Sequence, residues 1–254
     1  MEPVRKPFQG VLNIIRFNWH FYIIAIGIVS VLILIATNSN VLISSTLYVV
    51  CTAILVTLFI SLVVSWYVYD VSDLYRFDWI ENMDTQNPQK IVNINAGLDE
   101  SSAFLKHKFK QADCTVLDFY DPLKHTEVSI KRARKAYPPY AGTKSIKTTT
   151  LPLADNSIDK VFAILSAHEI RNEEERILFF KELNRILKPD GQLVMMEHLR
   201  DITNFMAYTI GFLHFHSKST WMRTFSSANF RVSNEIKITP FISTFILEKN
   251  GTTS

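Results

Sequence analysis

Glu182-Leu183-Asn184-Arg185-Ile186-Leu187-Lys188-Pro189-Asp190-Gly191-Gln192-Leu193 is the stretch whose reading decides the fold. It closes a helix and opens a strand. Upstream, Glu173–Leu187 sets Ile177, Phe180, Leu183, Ile186 and Leu187 on one side of a helix with a 3.6-residue period. Lys188-Pro189-Asp190-Gly191 stops that helix, and Gln192–Met196 follows as an apolar strand. Ahead of the helix, the turn signal Ala154-Asp155-Asn156-Ser157 introduces a second apolar strand, Ile158–Leu165. The unit is therefore strand, helix, strand.

Working outward, the alternation continues. Lys90–Ile94 and Thr115–Leu117 read as strands, Asp99–Gln111 and Thr126–Ala136 as helices, and Pro138-Pro139 with Gly142 as a loop. Phe230–Ile238 and Phe241–Glu248 close the chain as two β-rich runs. Strands alternating with helices predict an α/β domain with a mostly parallel sheet covered on both faces. In such a sheet ligands sit at the carboxyl ends of the strands.

Upstream of Asp70 the composition changes. Residues 17–69 contain no Asp, Glu, Lys or Arg, and every acidic residue except Glu2 lies from Asp70 onward. Phe21–Ala36 and Val41–Tyr69 are apolar runs separated by Thr37-Asn38-Ser39-Asn40. A spanning helix needs about 20 apolar residues, so these runs predict a transmembrane hairpin, with Trp19, Trp66, Tyr67 and Tyr69 at the interfaces. Arg5, Lys6 and Arg16 precede the first span and no basic residue lies in the turn. That bias predicts a two-span membrane protein with both termini and the domain in the cytoplasm. The expected divisions are a basic N-terminal segment 1–18, the hairpin 19–69, a linker 70–89 and the α/β domain 90–254. Two distant cysteines give no disulfide framework, and a net charge of +3 does not mark a nucleic-acid binder.

Leu151-Pro152-Leu153-Ala154-Asp155-Asn156-Ser157-Ile158-Asp159-Lys160-Val161 resembles the "LPF-x-DNSFD-x-V" segment of class I S-adenosylmethionine-dependent methyltransferases, of the type 11 kind. The quoted helix-to-strand stretch resembles their "E-x-x-RVLKPGG-x-L" turn, and Trp221–Phe225 with Ala228-Asn229-Phe230 their last helix and turn. The resemblance covers about Lys90 to Lys249. It implies a seven-stranded Rossmann-like sheet, S-adenosylmethionine as cofactor, and a binding set of Asn93, Asn95, Ala96, Gly97, Asp118, Phe119, Thr149, Leu151 and Ser166. It also implies that Asp118 grips both ribose hydroxyls, with Asp121 a competing candidate.

The chain departs from this family where the cofactor binds. Asn93-Ile94-Asn95-Ala96-Gly97-Leu98-Asp99 stands where D-x-G-x-G-x-G is usual, and Gly97 is the one family glycine left. Asn93 supplies no charge for the cofactor's amino group. Asn95 is the next best residue for a positive φ, and Asp99 is a candidate helix cap. The family's acid near the adenine falls around Lys147-Thr148-Thr149 and is absent.

His168, Glu169 and His198 are the candidate catalytic residues, because a His beside a carboxylate at a strand end can take a proton near neutral pH. Glu197 adjoins His198, and Glu169 is open to pairing with Arg171. His214-Phe215-His216 offers two ligands without a third, so no metal is expected. Ile202–His216 is open to three readings: lid, membrane-docking face or core. Lys131–Lys135 is open to contact with headgroups or to a solvated face. A tethered domain favours a small amphiphilic, lipid or quinone-like acceptor beside the bilayer. Two functions remain in competition: a membrane-anchored methyltransferase, and a non-catalytic binding or scaffold protein with a degenerate cofactor loop. The acceptor, the methylated atom and the oligomeric state are not written in the sequence.

Overall fold

A computed structural model describes residues 5–80 and 88–251. Parts of three expected divisions fall outside the described residues: 1–4 of the N-terminal segment, 81–87 of the linker and 252–254 of the domain. Seven strands form one sheet in the order β3-β2-β1-β4-β5-β7-β6. They are β1 Lys90–Asn95, β2 Asp113–Asp118, β3 Lys144–Ser145, β4 Ile158–Ile164, β5 Leu187–His198, β6 Phe230–Thr239 and β7 Ile242–Lys249. β1 to β5 pair in parallel, whereas β7 runs antiparallel to both β5 and β6. The expected Rossmann-like, mostly parallel seven-stranded sheet is present. The two-residue strand β3 carries no period that a sequence pattern could reveal.

Alternate residues along β4 and β5 face opposite sides, as the pleat requires. Val161, Ala163, Leu193 and Met195 join the cluster containing Phe179, Phe180, Leu183, Trp221 and Phe225. Those aromatic and aliphatic groups come from α5 (Glu173–Ile186) and α7 (Lys218–Ser227). Phe162, Ile164, Val194 and Met196 join the second cluster, with Leu74, Phe77, Ile80 and Leu105. Leu105 belongs to α3 (Ser102–Lys108), but the other three come from the stretch expected as a linker. That stretch covers a face of the sheet. Its aspartates interleave with the apolar residues, which recur every third position but only over two short turns.

Three boundaries differ from the sequence reading. α3 begins at Ser102 instead of Asp99, because the Asp99 side chain accepts from Ser101 N and Ser102 N (3.0 and 2.9 Å) and initiates the helix from outside. β5 starts at Leu187, with Lys188–Gly191 forming an irregularity opposite Ile158–Lys160. Gly191 is needed there: a Cβ would approach the carbonyl oxygens of Ile158 and Asp159 to 2.9 and 3.0 Å. The expected N-terminal segment 1–18 is not separate from the hairpin, since α1 runs Gln9–Thr37 with non-helical angles at Asn18.

α1 and α2 (Val41–Trp66) form an antiparallel pair, with the Asn40 side chain capping α2. Both are long and apolar enough to cross a membrane, and most of their large side chains, among them Phe21, Ile24, Leu34 and Phe59, are exposed. The pair is pinned to the domain at its base. Asp70 accepts from Gly10 N and Val11 N (2.6 and 2.8 Å), which neutralises two of the unpaired donors at the start of α1. Arg5 pairs with Glu100 at 3.1 Å and lies over the Tyr75 ring.

Candidate active site

The carboxyl end of β1 turns into α3 through residues 96–101. Gly97 takes φ +100°, a conformation L side chains rarely adopt. Asn95 does not take the positive φ expected of it; its Oδ1 accepts from Gly97 N at 3.0 Å and holds the turn from its side chain. Ala96 is buried beneath it. Asn93 is fully buried, and its Nδ2 donates to Ser101 Oγ and Ser102 Oγ (2.9 and 2.7 Å). Three buried polar atoms of this loop find no partner among the described residues: Asn93 Oδ1, Asp99 Oδ2 and Asn95 Nδ2. Two are acceptors, one of them on a carboxylate, and the third is a donor. Buried polar groups are normally paired, so this set suits a ligand that brings a cationic amine and a carboxylate together.

At the end of β2, Asp118 is buried. Its Oδ1 accepts from Tyr120 N at 2.8 Å and its Oδ2 from Arg134 Nη1 at 2.5 Å. Arg134 comes from α4 (Val128–Ala136) and lies over the Tyr120 ring. A Cβ on Gly97 would meet Arg134 Nη1 at 2.8 Å and Tyr120 Cδ2 at 3.0 Å. Arg134 thus fills the space between the glycine and the acid. Within the basic run, Arg132 reaches the other way, to the Phe17 carbonyl and His20 Nδ1 on α1 (2.6 and 2.8 Å). Neither arginine is simply a solvated face, and neither contact was legible from charge spacing.

The other expected binding residues are dispersed. Phe119 turns into the core against Phe179 and His125. Ser166 donates to the Ile94 carbonyl at 2.9 Å and ties β4 to β1. Leu151 is buried, with its N–H on Glu182. Thr149 is exposed, whereas Thr148 is buried and bonded to Glu175. Asp121 accepts from Leu123 N and serves a turn.

The candidate catalytic residues form two groups. Glu197, fully buried on β5, accepts from the His168 backbone N–H at 3.1 Å and faces His168 Nδ1 at 2.7 Å. His168 Nε2 lies 3.4 Å from Glu169 Oε1. Burial alone would lower the His168 pKa, but the Glu197 charge, helped by Glu169, outweighs it and pushes the imidazole up to about 10. Burial of Glu169 works toward a raised pKa, yet hydrogen bonds from His168 and His214 hold it far below the usual carboxylate range. Glu169 therefore pairs with these two histidines. Arg171 packs on His214 and lies 3.8 Å from Glu127.

His198 is buried and neutral, with its pKa lowered to about 4 by desolvation. Its Nδ1 faces two acceptors, Asn204 Oδ1 (3.1 Å) and the Phe241 carbonyl (3.0 Å), so that nitrogen carries the hydrogen. Nε2 is left to accept from the Tyr69 hydroxyl at 2.8 Å. Both ring nitrogens are engaged, and His198 positions other groups.

A polar cleft of about 1050 Å³ opens elsewhere, between residues 69–78 and the end of α3, and no strand-end residue named above lines it. The site follows instead from the carboxyl ends of β1, β2, β4 and β5. Residues 92–195 match the methyltransferase domain family (Methyltransferase type 11). This is a methyltransferase domain. Its cofactor is S-adenosylmethionine, and the unpaired acceptors and donor of the β1–α3 loop fit the amino and carboxylate groups of that molecule. The domain fold is shared with the PH0226 protein of Pyrococcus horikoshii OT3, at 13% identity and TM-score 0.51, covering 70% of this chain and 89% of that one. It is shared equally with a chain of the Haloferax volcanii complex that contains the Trm112 methyltransferase activator: 14% identity, TM-score 0.50, 71% and 91% coverage. A SAM-dependent methyltransferase from Aquifex aeolicus aligns at 16% identity and TM-score 0.49, over 70% of this chain and 93% of its own. No curated protein matches the sequence.

Proposed function

We propose that the protein is a membrane-anchored methyltransferase whose acceptor is a small amphiphilic or lipid-like molecule. The observation that carries this reading is the contact between the hairpin and the strand-end site. The end of α2 packs on α6 (Ile202–Tyr208), and just beyond it the Tyr69 hydroxyl reaches His198 at the tip of β5. Beside that contact Ile202, Phe205, Met206, Ile210 and Leu213 are exposed. Of the three readings of this segment, the membrane-docking face has this support. Exposed apolar groups continuous with a spanning hairpin favour burial in the headgroup region, which sets the site mouth at the lipid surface. A lipid or quinone-like acceptor fits that location, and the bias of Arg5, Lys6 and Arg16 favours a cytoplasmic domain.

The cofactor supplies an already activated methyl group, so the chain's task is alignment and exclusion of water. In this reading Asn93 and Asp99 receive the amino group, Asn95 donates to the carboxylate, and Asp118 accepts from the ribose once Arg134 turns away. The scaffold reading retains one observation in its favour: the Arg134–Asp118 pair, which fills the space over Gly97. The test is transfer of a labelled methyl group from S-adenosylmethionine into the organic-extractable fraction of membranes containing the protein. Label above that of Gly97→Val membranes supports the enzyme; equal label together with no S-adenosylhomocysteine binding supports the scaffold. Protease added to sealed right-side-out spheroplasts should leave the domain intact, and cleavage within it would reverse the orientation.

A further inference from the structure

His168, just beyond β4, and His214, at the end of the helical turn Thr209–His214, have the same unusual arrangement. His168 Nδ1 lies 2.7 Å from the buried Glu197 Oε2, and His214 Nδ1 lies 3.1 Å from Glu127 Oε1. With both Nδ1 atoms directed to carboxylates, both Nε2 atoms are left toward a third carboxylate. His168 Nε2 is 3.4 Å and His214 Nε2 is 3.6 Å from Glu169 Oε1. The ligating atoms of His168, Glu169 and His214 all lie within 4.8 Å of one another.

From this convergence we infer that His168, Glu169 and His214 bind one divalent transition-metal ion of the zinc or iron class. A tetrahedral site with bonds of about 2.0–2.2 Å to nitrogen and carboxylate oxygen sets its ligands about 3.3–3.6 Å apart, which the two measured separations match. Metal-bound histidines characteristically donate their other ring N–H to a carboxylate, which fixes the tautomer and the ring. Here His168 Nδ1 is hydrogen-bonded to Glu197 and His214 Nδ1 lies 3.1 Å from Glu127, carboxylates supplied by separate parts of the chain. Two imidazoles and one carboxylate leave coordination positions open. Of His214-Phe215-His216, from which no metal site is expected on sequence alone, only His214 takes part; His216 lies beside Arg176.

The charge at the site also suits a cation. Three carboxylates, Glu127, Glu169 and Glu197, surround the two rings. The opposing group is Arg171, whose Nη2 lies 2.5 and 2.9 Å from the His214 ring nitrogens. Its side chain is 41% exposed but also donates to the His214 carbonyl, so an ion entering the site has to displace it. An ion there would lower the pKa of an acceptor hydroxyl bound to it. That role rests on the methyl-transfer reading; binding of the ion does not.

The test uses the full-length protein in detergent, purified on a histidine-free tag, stripped with chelator and titrated with Co²⁺. The expected result is one ion per chain, with visible d–d absorption of a four- or five-coordinate site and displacement by Zn²⁺. His214→Ala, at a partly exposed position, should remove the absorption while the melting temperature of the stripped protein holds. Glu127→Gln should weaken Co²⁺ binding roughly 10- to 100-fold, and Arg171→Ala should bind at least as tightly as the parent chain. The inference is overturned if the stripped chain takes up no Co²⁺, or if His214→Ala binds it as the parent does. Separate calorimetry with S-adenosylhomocysteine reports on the cofactor, so failure of either site is read independently.

Discussion

Replacing Arg134 with alanine should tighten the binding of S-adenosylhomocysteine. The guanidinium occupies Asp118 Oδ2 at 2.5 Å and the space over Gly97, so a nucleoside entering there must first break that pair. The Asp118 side chain is only 7% exposed, which keeps the interaction strong, but Arg134 is 30% exposed, and solvent weakens it. Hydrogen bonds to charged groups contribute roughly 1.5–3 kcal/mol, and the exposure of the arginine selects the lower part, about 1.5–2 kcal/mol. Arg134→Ala removes that cost of opening and should lower Kd roughly 10- to 30-fold. α4 should stay in place, since Arg132 still holds the Phe17 carbonyl and Tyr137 still donates to Asn13 Oδ1. Isothermal titration calorimetry of the full chain in detergent measures the change. A double-mutant cycle with Asp118→Asn isolates the pair, because the gain should vanish once the carboxylate is gone. An unchanged Kd would make Arg134 a bystander, and a weaker one would make it a cofactor contact; either refutes the reasoning.

Asp99→Asn keeps the oxygen that accepts from Ser101 N and Ser102 N but removes the charge at Oδ2. It should weaken S-adenosylhomocysteine roughly 10- to 100-fold with little change in melting temperature; equal affinity would move the amino group elsewhere. His198 links stability to pH. Its pKa is lowered to about 4 in the fold, by burial first and by the nearby His168 charge as well, against about 6.5 unfolded. The unfolded chain therefore takes up the proton first, so this contribution is complete above pH 6.5 and is lost as pH falls toward 4. It amounts to about 3 kcal/mol at most. Melting curves of the parent and His198→Gln should converge over that interval, and parallel curves would show that His198 carries no such linkage.

Legibility followed periodicity. α5 and β4 were readable because Ile177, Phe180, Leu183 and Ile186 repeat at helical spacing and Val161–Ile164 is a continuous apolar run after the turn signal. Leu74, Phe77 and Ile80 share the three-residue spacing, but over too short a run to mark a helix: charged residues stand between them and the left-handed Phe77 divides them into two single turns, so their place under the sheet is fixed by tertiary packing. At the site, Asn93, Gly97 and Asp118 were found because a local motif carries them. The partnership of His168 with Glu169 was found because they are adjacent, but that of His214 with Glu127 joins loops 87 residues apart. Tyr69 and His198 are 129 apart. Long-range pairing of polar side chains leaves no mark in one sequence.

In the membrane-anchored reading proposed above, the way the hairpin meets the domain would fix the geometry of encounter with the bilayer. A flexible tether of about 20 residues would let a domain wander over roughly 25 Å. Here Asp70 clasps the first turn of α1, Arg5 grips Glu100, and Leu74 to Ile80 lie under the sheet. The described attachment is a rigid pedestal. In that reading a catalytic mouth on such a pedestal would stand at one height and one tilt and would work as a depth gauge. It would select acceptors by how far their reactive atom projects from the hydrocarbon, and a change in bilayer thickness would alter which acceptors reach it without altering a single contact inside the site.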